Sequence, residues 1–243
     1  MIKNKKSVGI IGCGKWGKKV IDILKRIAII KFVCNSKNSY KSQSLNVDWV
    51  FVLTTNETHF KIVKFFLEKK KNVFCEKPLT TSLKKSKILF KIAEKNKVKL
   101  YVDDIENYKY KNISIYKKNT IIRKKRDIKN TDSLFFRLAY HDFYLLFDFL
   151  KNKKIIKIIL NEKKYLLNFE IYFKNSLFNF TYDVNSNKKI HKINKIDFRS
   201  FDKNPLFDMI NKVIYKKVNF NRNKNAALFA NFLIDKFKNK FGI

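Results

Sequence analysis

Ser7-Val8-Gly9-Ile10-Ile11-Gly12-Cys13-Gly14-Lys15-Trp16-Gly17 is the stretch on which the reading of this chain turns. Its opening residues form a short apolar run that reads as a buried strand. After Gly17 the apolar residues Val20, Leu24 and Ile27 recur at helical spacing. Strand, glycine turn and helix therefore follow one another directly. Of the five glycines in the chain, four (Gly9, Gly12, Gly14 and Gly17) lie in this stretch, so glycine is concentrated where a turn needs it.

In a G-x-G-x-x-G turn the first glycine lets the strand turn sharply. The second lets backbone approach a pyrophosphate, and the third lets helix and strand pack closely. The helix N-terminus then offers unpaired N–H groups and the positive end of the helix dipole to an anion. Gly12, Gly14 and Gly17, with Lys15 and Trp16 in the first helical turn, are accordingly the expected pyrophosphate-binding residues of a dinucleotide site; a tight turn without a ligand is the plainer alternative. An acid that holds the adenosine ribose is expected roughly 20 residues further on. That point carries Cys34-Asn35-Ser36-Lys37 instead. Asn35 and Ser36 can hydrogen-bond a ribose and Lys37 can meet a 2′-phosphate, which leaves NAD and NADP both open.

Outward from the turn, Ile29 to Val33 and Val47 to Leu53 read as further strands, the latter ending in Thr54-Thr55-Asn56-Glu57-Thr58-His59. A helix is predicted from about Phe60 to Lys69, a strand at Val73-Phe74-Cys75, a helix over Ser82 to Asn96 and a strand over Lys99 to Val102. Strands alternating with helices predict a parallel, doubly wound α/β sheet of the Rossmann type. Beyond residue 104 the pattern changes. Tyr165 to Phe173 and Leu177 to Tyr182 alternate as antiparallel strands do, Leu138 to Leu150 reads as a helix, and Pro205 to Val213 and Ala226 to Phe237 as two more. The expected organisation is a Rossmann domain over 1–104 and a smaller, shortened α+β domain with an open antiparallel sheet over 105–243.

Composition narrows the function classes. The chain of 243 residues is 45% hydrophobic and 15% aromatic, enough for a real core. Its formal charge of +35 resembles a nucleic-acid binder's, but only six of the 55 basic residues are arginine and the lysines are spread along the chain. Lysine, asparagine, isoleucine and phenylalanine are enriched together, as an A/T-rich coding sequence produces, so no specific nucleic-acid partner is expected. Cys13, Cys34 and Cys75 form no C-x-x-C pair, which predicts neither a disulfide framework nor a metal site. No apolar run is long enough to span a bilayer and no signal-peptide pattern follows the basic N-terminus, so a cytoplasmic protein is expected.

At this point the sequence resembles the Gfo/Idh/MocA oxidoreductase family. The resemblance runs from Val8 to Gly17, through Val50 to His59, to Asn72-Val73-Phe74-Cys75-Glu76-Lys77-Pro78-Leu79, with Glu-Lys-Pro after a short strand the most specific part. It implies that Thr54, Thr55, Glu76 and Lys77 line the cofactor, and that Lys77 lies beside nicotinamide and substrate hydroxyl as a catalytic residue. Leu138-Ala139-Tyr140-His141-Asp142 looks like the family's second-domain histidine segment. That resemblance implies that His141, at the start of its helix, is the acid/base residue, with Asp142 as its neighbour at the substrate. Many members carry an aspartate four residues before that histidine. Here Arg137 stands there, which puts the usual proton relay in doubt and suits an anionic substrate. His59 reads as structural or near the cofactor, and His191 as plain surface.

The function this implies is NAD(P)-dependent oxidation or reduction of a hydroxyl or keto group on a sugar, sugar acid or nucleotide sugar. The rival is a catalytically inactive dinucleotide-binding sensor or scaffold. An open sheet with one apolar face further predicts a homodimer or homotetramer.

Overall fold

The strand–helix alternation of the first hundred residues builds a five-stranded, all-parallel sheet. Residues 5–109, 112–128, 133–199 and 204–242 are described in the computed structural model. In chain order the elements are β1 (Lys6–Ile11), α1 (Lys15–Ile27), β2 (Ala28–Cys34), β3 (Trp49–Val52), α2 (Asn56–Glu68), β4 (Asn72–Cys75), α3 (Leu83–Lys95) and β5 (Leu100–Val102). The strand order β2-β1-β3-β4-β5 reverses direction between β1 and β3. In such sheets ligands bind outside the carboxyl ends of the strands at the point of reversal.

The chain continues with β6 (Lys118–Arg126), a π-helical turn (Phe135–Ala139), α4 (Tyr140–Leu145), α5 (Phe147–Leu150), β7 (Ile155–Lys163), β8 (Leu166–Phe173), β9 (Ser176–Asp183), β10 (Asn185–Ile193) and β11 (Ile196–Asp197). It ends with α6 (Pro205–Ile214) and α7 (Phe220–Phe241). The second sheet has the order β11-β10-β6-β9-β8-β7. It is antiparallel, as expected, except that β6 and β9 run parallel. The helical segment carries the chain from β6 across to β7, and the two hairpins that follow bring β9 back beside β6. Residues on β8 and β9 alternate in burial. The buried face supplies Phe169 and Phe180, stacked 4.5 Å apart, and Phe237 of α7 meets Phe169 at 4.7 Å. Phe143 of α4 packs edge-on against Phe180 at 5.5 Å.

The chain divides into two compact units, Met1–Ile105 with Asn204–Asn231, and Glu106–Lys203 with Phe232–Ile243. Division at 104 alone therefore misplaces α6 and the first half of α7, which belong with the parallel sheet. The reason lies in their contacts. The Trp49 indole N–H donates to Ile214 O at 3.2 Å and the Trp49 ring stacks on Phe220. The Asn223 carboxamide accepts from Val102 N–H at 2.9 Å and donates to Val102 O at 2.8 Å, which satisfies backbone groups of the edge strand β5.

Scarcity of glycine shows at the helix ends. The chain leaves α2, α3 and α6 through the left-handed region at Lys70, Lys97 and Lys216, with φ of 55°, 55° and 57°. Each end closes the same way, with Lys71 N–H on Phe66 O at 2.9 Å, Val98 N–H on Ala93 O at 3.0 Å and Lys217 N–H on Lys212 O at 2.8 Å. These are Schellman ends with lysine where glycine is usual. A side chain in that region costs about 1–2 kcal/mol, against about 0.5–1 kcal/mol of extra chain entropy for glycine. Lys97→Gly is therefore expected to raise stability by up to about 1 kcal/mol in chemical denaturation; an unchanged or lowered midpoint would contradict this.

Candidate functional site

The glycine turn has the geometry its spacing implies. Gly12 lies at φ +101°, and a Cβ there would sit 2.6 Å from Leu53 O. A Cβ on Gly17 would sit 2.4 Å from Gly12 O, so α1 approaches β1 as closely as backbone permits. Around Gly14 the situation is opposite: a Cβ would meet nothing within 4 Å. Gly14 caps α1 without a side-chain hydrogen bond, and its carbonyl accepts the first helical bond, from Lys18 N–H at 2.9 Å. Open space before a bare helix N-terminus, at the sheet's point of reversal, fits a pyrophosphate held by the N–H groups of Lys15 and Trp16.

The other residues expected at the cofactor lie along the same edge. Asn35 and Ser36 follow β2 and are exposed, with Asn35 Oδ1 accepting Lys37 N–H at 2.8 Å. Thr54 and Thr55 follow β3, where Thr58 Oγ1 lies 2.7 Å from Thr54 Oγ1. Glu76 and the half-buried Lys77 follow β4, anchored by Glu76 N–H on Val52 O at 2.9 Å. His59 is fully buried and braces this edge. Its Nδ1 lies 2.9 Å from Pro78 O and its Nε2 3.0 Å from Thr54 O, tying the turn after β3 to the segment after β4. Burial pushes the His59 imidazole below its ordinary pKa, although both carbonyls pull the other way.

In the second unit the structure corrects several expectations. The helix begins before Leu138, with Arg137 N–H already donating to Ser133 O at 3.0 Å, so half-buried His141 lies within the helical segment and not at its start. Asp142, expected at the substrate, is wholly buried and faces the sheet. Arg123 of β6 grips it with Nε 3.0 Å from Oδ2 and Nη2 3.0 Å from Oδ1. The Tyr182 hydroxyl donates to Oδ2 at 3.0 Å and His191 Nε2 lies 3.0 Å from Oδ1. His191 is thus buried rather than surface, held between Asp142 and Glu106, whose Oε2 lies 3.4 Å from Nδ1, in ion-pair range though not in hydrogen-bond alignment. Arg123 and Lys109 complete the cluster at 3.4 and 3.1 Å from Glu106 Oε1. Arg137, expected to meet an anionic substrate, has its guanidinium 2.6 Å from Asp127 Oδ2 and 2.9 Å from Asp127 O.

The cluster of Glu106, Arg123, Asp142, Tyr182 and His191 was not legible as a site, because its members come from five separate segments of a charge-rich sequence. It anchors the helix that carries His141. Asp103, at the end of β5, was also missed as a site residue, although the strand before it was readable. Among the described residues no group of three His, Cys, Asp or Glu side chains is placed to hold a metal ion. No described helix is long and apolar enough to cross a membrane.

A parallel sheet with a glycine turn at its point of reversal is the architecture of a dinucleotide-binding Rossmann domain. Residues 28–104 match the model of the Gfo/Idh/MocA family, described as an oxidoreductase family with an NAD-binding Rossmann fold. Among solved structures, UDP-N-acetylglucosamine 3-dehydrogenase GnnA from Acidithiobacillus ferrooxidans is similar at a TM-score of 0.82 and 13% identity, covering 96% of each chain. The dehydrogenase MviM from Clostridium difficile is similar at 0.79 and 18%, covering 98% of this chain and 100% of that one. Aldose-aldose oxidoreductase from Caulobacter crescentus follows at 0.74 and 12%, covering 97% of each. At these identities the likeness is one of fold, over nearly the full length of each neighbour. No curated protein sequence matches the chain at a significant level.

The cluster also sets acid stability. Burial alone would raise the Asp142 carboxyl, but Arg123 and His191 outweigh it and hold the group below its usual range. At Glu106 burial again acts upward, and Arg123, His191 and Lys109 overcome it by more. Both folded pKa values lie below the unfolded ones. Their stabilisation is therefore complete above about pH 5 and is lost as pH falls through the folded values. Arg123→Leu is expected to cost about 3–5 kcal/mol and to move acid unfolding to higher pH. Equal acid midpoints for variant and parent, followed by circular dichroism, would contradict this role.

Proposed function

We propose that this chain catalyses NAD(P)-dependent oxidation or reduction at a hydroxyl or keto carbon of a sugar, sugar acid or nucleotide sugar. The observation that carries the proposal is the placement of Lys77: half-buried, directly after β4, on the same carboxyl edge as the glycine turn. Bound NAD(P) supplies the hydride acceptor or donor. Oxidation of an alcohol removes the hydroxyl proton as well as the hydride, so alkoxide character develops on the oxygen as the proton leaves, and a positioned ammonium stabilises that charge until hydride departure forms the carbonyl.

In this reading Lys77 binds and polarises the reacting oxygen. His141 exchanges the hydroxyl proton, a task for which an imidazole side chain, with one ring nitrogen to accept and one to donate, is suited. Asp142, committed to Arg123, positions the helix that bears His141 and does not meet substrate. Gly12, Gly14 and Gly17 hold the pyrophosphate through backbone donors, with Thr54 and Thr55 near the cofactor and Asn35 and Ser36 at the adenosine ribose. The sugar class is supported by the dehydrogenase and aldose-oxidoreductase neighbours, and the same reading assigns a homodimer or homotetramer built through the outward face of the second sheet.

A screen of sugars, sugar acids and nucleotide sugars followed by NAD(P)H absorbance tests the proposal. Turnover is expected with at least one class. Lys77→Ala should then lower it by about 10²–10⁴-fold, as removal of an acid–base group does, while cofactor affinity changes little. Cofactor binding with no turnover on any class would instead favour the inactive sensor.

A further inference from the structure

The carboxyl ends of β4 and β5 bring two acids side by side. Cys75 and Val102 are register partners in these neighbouring strands, so Glu76 and Asp103 leave the sheet together, and Asp103 N–H donates to Cys75 O at 2.8 Å. Asp103 is only 2% exposed. Its Oδ1 accepts Ile105 N–H at 2.9 Å, which fixes the side chain. Glu76 Oε2 is buried and receives no hydrogen bond from any conventional donor. Asp103 Oδ2 is likewise buried without a hydrogen-bond partner, so an acceptor oxygen on each of the two neighbouring carboxyls is left without a donor.

Two ionised carboxylates are acceptors only, so neither can satisfy the other, whereas a proton on one turns it into a donor for its neighbour. Like charges at such separation resist double ionisation, and the pair behaves as a single site holding one proton. On the Glu76 side, two groups oppose the Asp103 charge. Lys77 is the neighbouring cation, and Trp16 in the glycine turn directs a buried indole N–H toward the Glu76 carboxyl without closing a full hydrogen bond. The Cys75 thiol behind the pair is itself kept protonated, chiefly by burial. Burial and the Asp103 charge raise Glu76 well above the usual carboxylate range against the opposing pull of Lys77 and Trp16.

The glycine turn at β1 and β3 places the pyrophosphate, and the ribose position after β2 places the adenosine half. The nicotinamide half therefore extends toward β4 and β5. We propose that Glu76 and Asp103 share one proton at neutral pH, and that binding of the oxidised, positively charged nicotinamide releases this proton to solvent whereas binding of the neutral reduced ring does not. This rests on the NAD(P) reading above. A positive ring beside the pair offsets the second negative charge, so the doubly ionised pair accompanies oxidised cofactor and the singly protonated pair accompanies reduced cofactor. Both acids act as positioning residues that set the charge the ring meets.

Two measurements test this separately. Infrared spectroscopy of the cofactor-free protein should show a protonated-carboxyl C=O stretch that is absent in both Glu76→Gln and Asp103→Asn. In each variant the amide donates in place of the proton and leaves the remaining carboxylate ionised. Absence of that band in the parent protein overturns the shared proton. Calorimetry of NAD(P)⁺ and NAD(P)H in buffers of different ionisation enthalpy should show proton release with the oxidised form only, and affinity for that form should rise toward about tenfold per pH unit, the limit for one linked proton. Asp103→Asn should abolish both effects while still binding cofactor. Equal proton counts for the two redox forms overturn the coupling. A band without any cofactor binding overturns the coupling together with the functional reading, and leaves the shared proton standing.

Discussion

A side chain at residue 17 would lie 2.4 Å from the carbonyl oxygen of Gly12, and one at residue 12 would lie 2.6 Å from that of Leu53. That double exclusion sets how closely α1 sits on β1 and β3. From it follow the open space at Gly14 and a helix N-terminus at the point where the strand order reverses. The remaining candidate residues are arranged around this packing. Glu76 and Asp103 are simply the residues that come next after β4 and β5, Thr54 lies two residues past β3, and His59 keeps two of those segments in register through Thr54 O and Pro78 O.

Acidic residues are scarce in this chain, 20 against 55 basic, and the buried and half-buried ones mark where structure depends on charge. Asp48 pins β1 by accepting from Ser7 N–H and Lys6 Nζ. Glu106 and Asp142 gather Arg123, Lys109 and His191 into one cluster. At Glu76 the cation that opposes burial and the Asp103 charge is Lys77. A buried acid pair in a chain of such positive charge is retained against easy neutralisation, which is why it invites a role with the cofactor. The lysines, by contrast, spread over every element and even occupy left-handed helix ends, as expected of residues placed by composition.

The first sheet was readable because its signals are local. Glycines at fixed spacing, apolar strands and amphipathic helices gave every strand of β1 to β5 within two residues of its end. The second unit was less so. β6 reads Lys-Asn-Thr-Ile-Ile-Arg-Lys-Lys-Arg, and its charges hide a strand whose buried side chains include Ile121 and Arg123. Asp142 and His191 meet across 49 positions, and no periodicity encodes that. The return of 204–231 to the first unit has the same cause, since it depends on Trp49, Val102 and Asn223 finding partners far away in sequence. Arg137 differs in kind: the residue was noticed, but its partner Asp127 was not foreseen.

The measurement that most directly tests the dinucleotide site is titration of the purified protein with NADH and then NADPH at moderate salt, followed by nicotinamide fluorescence, for the parent and for Gly14→Ala. The open space at Gly14 means the variant should keep the parent's melting temperature while losing at least about tenfold in affinity, since a methyl group enters the space a phosphate needs. Saturable binding of one cofactor by the parent, weakened in this way, is the expected result. Binding of neither cofactor by a folded parent, or equal affinity in parent and variant, would contradict it.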